Sequence, residues 1–131
     1  MNVLVLGGAG YIGSVLCDLL KEKGDDPLVY DNFLYEKTLW RIKRAHTIEA
    51  DIRDINRLSS AIEQADAVVN LAAISNDPAS DLQPRLTWDI NYKANETITL
   101  LLQATGKRVI FASSCSMYGS SLDVRDEESP V

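Results

Sequence analysis

Five short apolar runs alternate with longer stretches whose apolar residues recur every three or four positions, and this alternation predicts the elements. Residues 3–6 (Val-Leu-Val-Leu) are apolar at every position, the pattern of a strand covered on both faces. Residues 28–30, 47–50, 67–69 and 108–112 are the other expected strands. Between them, residues 11–23 predict a helix with Ile12, Val15, Leu16, Leu19 and Leu20 facing the core, Lys21 and Lys23 near its carboxyl end, and Gly24 just beyond it. A second helix begins after Asp54, a natural N-cap, with Ile55, Leu58, Ile62 and Ala65 on one face. A third spans 86–105 with Ile90, Ala94, Ile98, Leu101, Leu102 and Thr105 as its apolar stripe, and Gly106 ends it. Asn91 lies on that stripe, where a buried amide needs partners, so it is expected to bond to backbone across the helix–sheet contact. Residues 33–45 read as an irregular loop with a helical turn over 38–44, residues 75–84 as a polar loop, and residues 121–131 as a polar, acidic tail.

Strands alternating with helices predict an α/β fold, a doubly wound parallel sheet in the order 3-2-1-4-5 with right-handed crossovers. The chain reads as one domain over residues 1–131, with no internal repeat.

Candidate chemistry gathers where expected strands end. After the first strand come Gly7, Gly10 and Gly13, and then a helix start. In that setting one glycine lets the chain turn, one lets backbone approach a phosphate, and one lets helix pack on strand. The helix start offers N–H groups and a positive dipole end to an anion, which points to dinucleotide binding; a tight strand-to-helix turn is the alternative. Asp31 stands 18 residues beyond Gly13, near the spacing of the carboxylate that bonds an adenosine ribose, although Asp also suits a strand-end turn or helix cap. A carboxylate there repels a 2′-phosphate and favours NAD over NADP, while Lys37, Arg41, Lys43 and Arg44 supply nearby cations that argue the other way. Asp51 and Ile52 close the third strand, at the ligand edge of such sheets, where an adenine contact or a plain turn are both open. Asn70, Leu71, Ala72 and Ala73 leave the fourth strand, small enough to let backbone approach a cofactor. The hydroxyls of Ser113, Ser114 and Ser116 follow the fifth and are candidates for bonding a reacting group, although serines also favour strand ends because they satisfy loop backbone.

Composition changes little but excludes much. With 131 residues, 46% hydrophobic and 24% charged, the chain has enough apolar material for a core. A net charge of −6 argues against nonspecific binding of nucleic acid or anionic membrane. No apolar run approaches the ~20 residues of a membrane span, and the start lacks a basic leader. The two cysteines, Cys17 and Cys115, have no metal or redox spacing, so free thiols in a reducing cytoplasm are expected.

Taken together, the motifs Gly7-Gly8-Ala9-Gly10-Tyr11-Ile12-Gly13, Asp31-Asn32, Asp51-Ile52-Arg53, Asn70-Leu71-Ala72-Ala73, Asn91 and Ser113-Ser114-Cys115-Ser116-Met117-Tyr118-Gly119 resemble the extended short-chain dehydrogenase/reductase family, the NAD-dependent sugar-nucleotide epimerases and dehydratases with a Rossmann-type sheet. The resemblance covers nearly the whole chain. It implies that Gly7, Gly10, Tyr11, Ile12 and Gly13 cradle a pyrophosphate and that Asp31 and Asn32 hold the adenosine ribose. It further implies that Asp51 and Ile52 border the adenine and that Leu71, Ala72 and Ala73 line the path to the nicotinamide ribose. Ser114 matches the catalytic hydroxyl that bonds the sugar. Leu6 and Asn70 depart from the Thr and His usual in the family. More consequential is the missing Tyr-x-x-x-Lys: Tyr11, Tyr92 and Tyr118 are followed four residues later by Val15, Glu96 and Leu122. In the family that lysine lowers the tyrosine pKa so that a phenolate takes the sugar proton. The expectation is therefore the amino-terminal, NAD-binding half of an enzyme acting on a nucleotide-sugar, without turnover of its own, and with self-association or loosened order near its carboxyl end through an exposed last strand. A non-catalytic NAD-sensing or docking module is the alternative.

Overall fold

The computed structural model describes residues 1–34, 45–75, 77–120 and 123–130. The expected turn over 38–44 and the cations Lys37, Arg41, Lys43 and Arg44 lie outside them. Strands β1 (Asn2–Leu6), β2 (Asp26–Asp31), β3 (His46–Glu49), β4 (Ala67–Asn70) and β5 (Arg108–Phe111) form one sheet in the order β3-β2-β1-β4-β5. Every pairing is parallel, with Leu6 opposite Tyr30 on one side and Asn70 on the other. The expected order is thus observed.

β1 is central, which accounts for its unbroken apolar run. Leu4 and Leu6 point into a core shared with Leu58, Ile62, Ile98 and Leu102, while Val3 and Val5 point to the opposite face with Cys17 and Val29. All four β1 side chains from Val3 to Leu6 are at most 4% exposed.

Helix α1 (Tyr11–Glu22) forms over the expected span but turns a different face to the sheet. Its buried residues are Gly13, Ser14 and Cys17, whereas Ile12, Val15 and Leu19 are 65%, 48% and 49% exposed. Only Leu16 and Leu20 of the expected stripe pack against the core. The reason is steric. A Cβ on Gly13 would stand 2.5 Å from the Gly7 carbonyl oxygen and 2.6 Å from Gly8 Cα, so the helix approaches backbone to backbone and only small side chains fit the seam. At its other end Gly24 adopts φ +85°, the Gly24 N–H donates to Lys21 O and the Asp25 N–H donates to Leu20 O, a Schellman closure of the expected kind.

Helix α2 (Ile55–Gln64) is capped by Asp54, whose carboxylate accepts the Arg57 N–H at 3.2 Å. Leu58, Ala61, Ile62 and Ala65 are buried, but Ile55, expected on that face, is 52% exposed in the first turn. Its last carbonyls are met from elsewhere in the chain: Lys107 Nζ donates to Ile62 O at 2.5 Å and to Glu63 O at 2.7 Å.

The polar segment after β4 contains a short helix α3 (Asp77–Leu82) that the sequence pattern did not suggest. The expected single helix over 86–105 is three pieces: α4 (Pro84–Trp88), a π-helical turn (Asp89–Lys93) and α5 (Ala94–Gln103). Ile90, Ala94, Ile98 and Leu102 are buried at a four-residue spacing, and Leu101 packs beside them. Thr105, expected on the stripe, is exposed because the helix has ended; its hydroxyl donates to Leu102 O, and Gly106 follows at φ +63°.

Candidate dinucleotide site

The carboxyl ends of β1, β2, β3 and β4 stand on one edge of the sheet, and the residues selected from the sequence collect there. Gly7 leaves β1 at φ +74°, and a Cβ on it would lie 2.8 Å from the Ala72 nitrogen and 2.9 Å from the Leu71 carbonyl carbon. The turn therefore requires glycine twice over, for its backbone angle and for its contact with the strap leaving β4. Gly10 N donates to Gly7 O and Ser14 N to Gly10 O, which starts α1. No side chain caps this helix and its first turn holds no acidic residue, in contrast to α2 with its Asp54 cap. Tyr11 and Ile12, 82% and 65% exposed, flank that start. A helix amino terminus without a side-chain cap, on a glycine turn, attracts anions through its N–H groups and its dipole.

Asp31 closes β2 beside this turn. Its Oδ2 accepts the Ala9 N–H at 3.0 Å and its Oδ1 accepts the Phe33 N–H at 2.8 Å, so one carboxylate pins the glycine turn and the chain leaving β2. Phe33 has φ +53°, unusual for a bulky residue. Asn32 reaches the neighbouring strand end, its Nδ2 lying 3.4 Å from Asp51 Oδ2.

Asp51 is more committed than its sequence position suggests. Its carboxylate accepts from Arg53 N, Nε and Nη2 at 2.9, 2.8 and 2.7 Å. Hydrogen bonding to the Arg53 side chain, against a smaller opposing effect of burial, pulls its pKa down to about 2. Its backbone carbonyl accepts from the hydroxyl of the fully buried Tyr30 at 3.0 Å. Burial first, then the Asp54 and Asp51 charges, pushes that phenol up to about 12. Ile52 is 6% exposed within the larger core, so only its backbone stands at the strand edge.

Leu71 and Ala72 lie half-buried against Gly7, and Ala73 is exposed. Ser114 follows β5, two strands from β1 on the side opposite β3. It is exposed, and its Oγ accepts the Ser116 N–H at 3.1 Å, capping a 3₁₀ turn over Cys115–Tyr118. The structure thus brings Gly7, Gly10, Tyr11, Ile12, Gly13, Asp31, Asn32, Asp51, Leu71 and Ala72 to the carboxyl edge of the sheet, and Ser114 follows β5 on that same edge. Sequence reasoning passed over Gly8, where a Cβ would lie 2.9 Å from Val5 O, and Asn95, whose amide meets that of Asn70. The four-residue spacing from Asn91 was the available signal for Asn95. A separate cavity of about 240 Å³ is lined by Arg53, Ile55, Asp89, Lys93, Ala94 and Thr97. Its charges pair within the chain, Arg53 with Asp51 and Lys93 with Asp89, so it lacks the anion-attracting character of the glycine turn.

The model of the NAD dependent epimerase/dehydratase family matches residues 3–131. The chain belongs to this family. A UDP-glucose 4-epimerase of Lacticaseibacillus casei is 34% identical over 131 residues, 98% of this chain and 40% of that protein. The crystal structure of a UDP-glucose 4-epimerase from Brucella ovis in complex with NAD superposes with a TM-score of 0.84 at 34% identity, over 94% of this chain and 39% of that one. That of Bifidobacterium longum, in complex with NAD+ and UDP, gives 0.88 at 26% identity, over 99% and 42%. The chain therefore spans about 40% of the length of these relatives. Within the epimerase/dehydratase family it corresponds to the NAD-binding region, a five-stranded parallel sheet whose first strand runs into the glycine turn. Among the described residues no helix is long and apolar enough to cross a membrane, and no group of His, Cys, Asp and Glu could hold a metal ion.

Proposed function

We propose that the glycine turn holds NAD, and that the chain is the dinucleotide-binding region of an epimerase or dehydratase acting on a nucleotide-sugar. The observation that carries this reading is the amino terminus of α1, capped by no side chain and set beside a carboxylate already fastened to the same turn. Gly7, Gly10, Tyr11, Ile12 and Gly13 would cradle the pyrophosphate through backbone N–H groups. Asp31 and Asn32 would hold the adenosine ribose; Asp31 retains lone pairs for hydroxyl donors after accepting two N–H groups, and its charge disfavours a 2′-phosphate. Asp51 and Ile52 would border the adenine, with Asp51 fixing the turn through Arg53. Leu71, Ala72 and Ala73 would line the way to the nicotinamide ribose. When bound, NAD supplies a reversible hydride acceptor. Ser114 would hydrogen-bond the sugar. The chain carries no Tyr-x-x-x-Lys, so on this reading it does not by itself turn over a nucleotide-sugar. A reducing cytoplasm suits the buried, unbridged Cys17, whose thiol burial pushes up to about 11.

Calorimetric titration tests the reading. NAD is expected to bind at least tenfold more tightly than NADP, with no epimerisation of UDP-glucose by the chain alone. Equal or tighter binding of NADP, or no binding of either, overturns it.

A further inference from the structure

The segment that touches Gly7 is held by a polar chain that joins two motif residues, Asn70 and Asn91, through Asn95, which no motif includes. Asn70, 2% exposed, ends β4; its Oδ1 accepts the Ala72 N–H at 3.2 Å and its Nδ2 donates to Asn95 Oδ1 at 2.6 Å. Asn95 Nδ2 then donates to the Asn91 backbone carbonyl at 2.9 Å. The Asn91 side chain closes the circuit on the strap's far end, with Oδ1 accepting the Ile74 N–H at 2.9 Å and Nδ2 donating to Ile74 O at 2.8 Å. Residues 71–74 are thus gripped at both ends by amides projecting from β4 and from the helical stretch that follows.

The polarity of this chain admits one arrangement. The Asn91 carbonyl only accepts, so Asn95 must turn its NH₂ toward it and its oxygen toward Asn70. Asn70 must then answer with its NH₂, which leaves its oxygen for the Ala72 N–H. A carboxylate at either position sets oxygen against oxygen somewhere along the line. The π-helical turn at Asp89–Lys93 takes part, since Asn91 lies within it and Asn95 just after it. Such local widening of a helix recurs at functional sites, where it re-aims side chains.

We infer that Asn95 is a positioning residue for the dinucleotide: through Asn70 it sets the strap at Leu71 and Ala72 against the glycine turn, and so tunes affinity for the part of the cofactor beyond the adenosine. This rests on the proposed function, in which the strap faces the nicotinamide side. The strap has little freedom to relax elsewhere, because the place a Gly7 Cβ would take is 2.8 Å from the Ala72 nitrogen. A loosened Asn70 therefore moves the strap relative to the turn, while leaving Asp31 and its contacts in place.

The test compares NAD with ADP by calorimetry in the wild type, Asn95→Ala and Asn95→Thr, with a thermal melt of each free protein. Threonine keeps a hydroxyl for the i−4 carbonyl, as Thr97 does with Lys93 O and Thr99 with Asn95 O, but it is a bond too short to span to Asn70 as well. It therefore breaks the relay with the helix intact and serves if the alanine variant does not fold. The expected result is NAD binding weakened about tenfold in Asn95→Ala and about threefold in Asn95→Thr, with ADP binding changed less than twofold. Unchanged NAD binding overturns the inference, as does an equal loss for NAD and ADP, which marks a general loosening. A wild type that binds neither ligand overturns the proposed function itself, and is distinguishable because it precedes any comparison of variants.

Discussion

The carboxylate of Asp31 accepts the backbone N–H of Ala9 at 3.0 Å, which makes the end of β2 and the glycine turn after β1 one hydrogen-bonded unit. A residue chosen from the sequence for its expected reach to a ribose is therefore a brace for the glycine turn. A ribose contact would use other lone pairs of the same group.

Asp31→Ala removes the acceptor for the Ala9 and Phe33 N–H groups at once. The variant is expected to lose about 1–2 kcal/mol of stability in urea denaturation and more than tenfold in NAD affinity by calorimetry. Loss of affinity with unchanged stability would mean that the brace is idle and only the ribose contact matters.

Gly13 and Gly10 separate packing from turn formation. A Cβ at Gly13 meets the Gly7 oxygen at 2.5 Å and Gly8 backbone at 2.6 Å, neither of which can yield cheaply, whereas at Gly10 the nearest atom is Gly7 O at 3.2 Å. Gly13→Ala is expected to cost about 3 kcal/mol and Gly10→Ala about 1 kcal/mol or less, measured by chemical denaturation. Equal costs would show that the α1–β1 seam can open without penalty.

The pH dependence follows from Asp51. Its carboxyl is lowered from 3.8 to about 2, foremost by hydrogen bonding to Arg53, so the folded state binds its proton less readily than the unfolded chain does. The resulting stability is fully present above about pH 4 and fades as pH falls toward 2. With the Arg53 side chain 43% exposed, the contribution is about 1 kcal/mol after screening. Asp51→Asn is expected to be less stable than the wild type at pH 6 and to converge with it near pH 2 in urea titrations. A gap that stays constant with pH would assign the loss to geometry instead of charge.

The last strand of the sheet leaves apolar surface in solvent. Val109, Ile110 and Phe111 of β5 are 41%, 59% and 55% exposed, and β5 has no strand on its outer side among the described residues. Such an edge pairs with whatever offers itself. Sedimentation is expected to show a mass that rises with concentration, and Ile110→Lys is expected to shift it toward the monomer. A monomer at all concentrations would show the edge to be inert.

Local pattern carried the architecture and half of the site. The apolar run of β1, the spacing of Gly7, Gly10 and Gly13, and an acid at the end of β2 are properties of short segments. They placed the sheet order, the anion-attracting helix start and Asp31 without any knowledge of distant contacts. Family membership followed from the same segments, taken in order.

Whatever depended on two segments meeting was settled only in three dimensions. The face of α1 that is buried was decided by the backbone seam at Gly13, which overruled the larger apolar stripe at Ile12, Val15 and Leu19. Asp51 spends its charge on Arg53 and Ile52 sends its side chain into the core, neither of which position along the chain reveals. The amide chain from Asn70 through Asn95 to Asn91 spans 25 residues and depends on a π-helical turn that no periodicity announces. The physical reason is the same in each case. Periodicity reports which side of an element is apolar, while the close approach of backbones and the pairing of buried polar groups are fixed by neighbours far away in sequence.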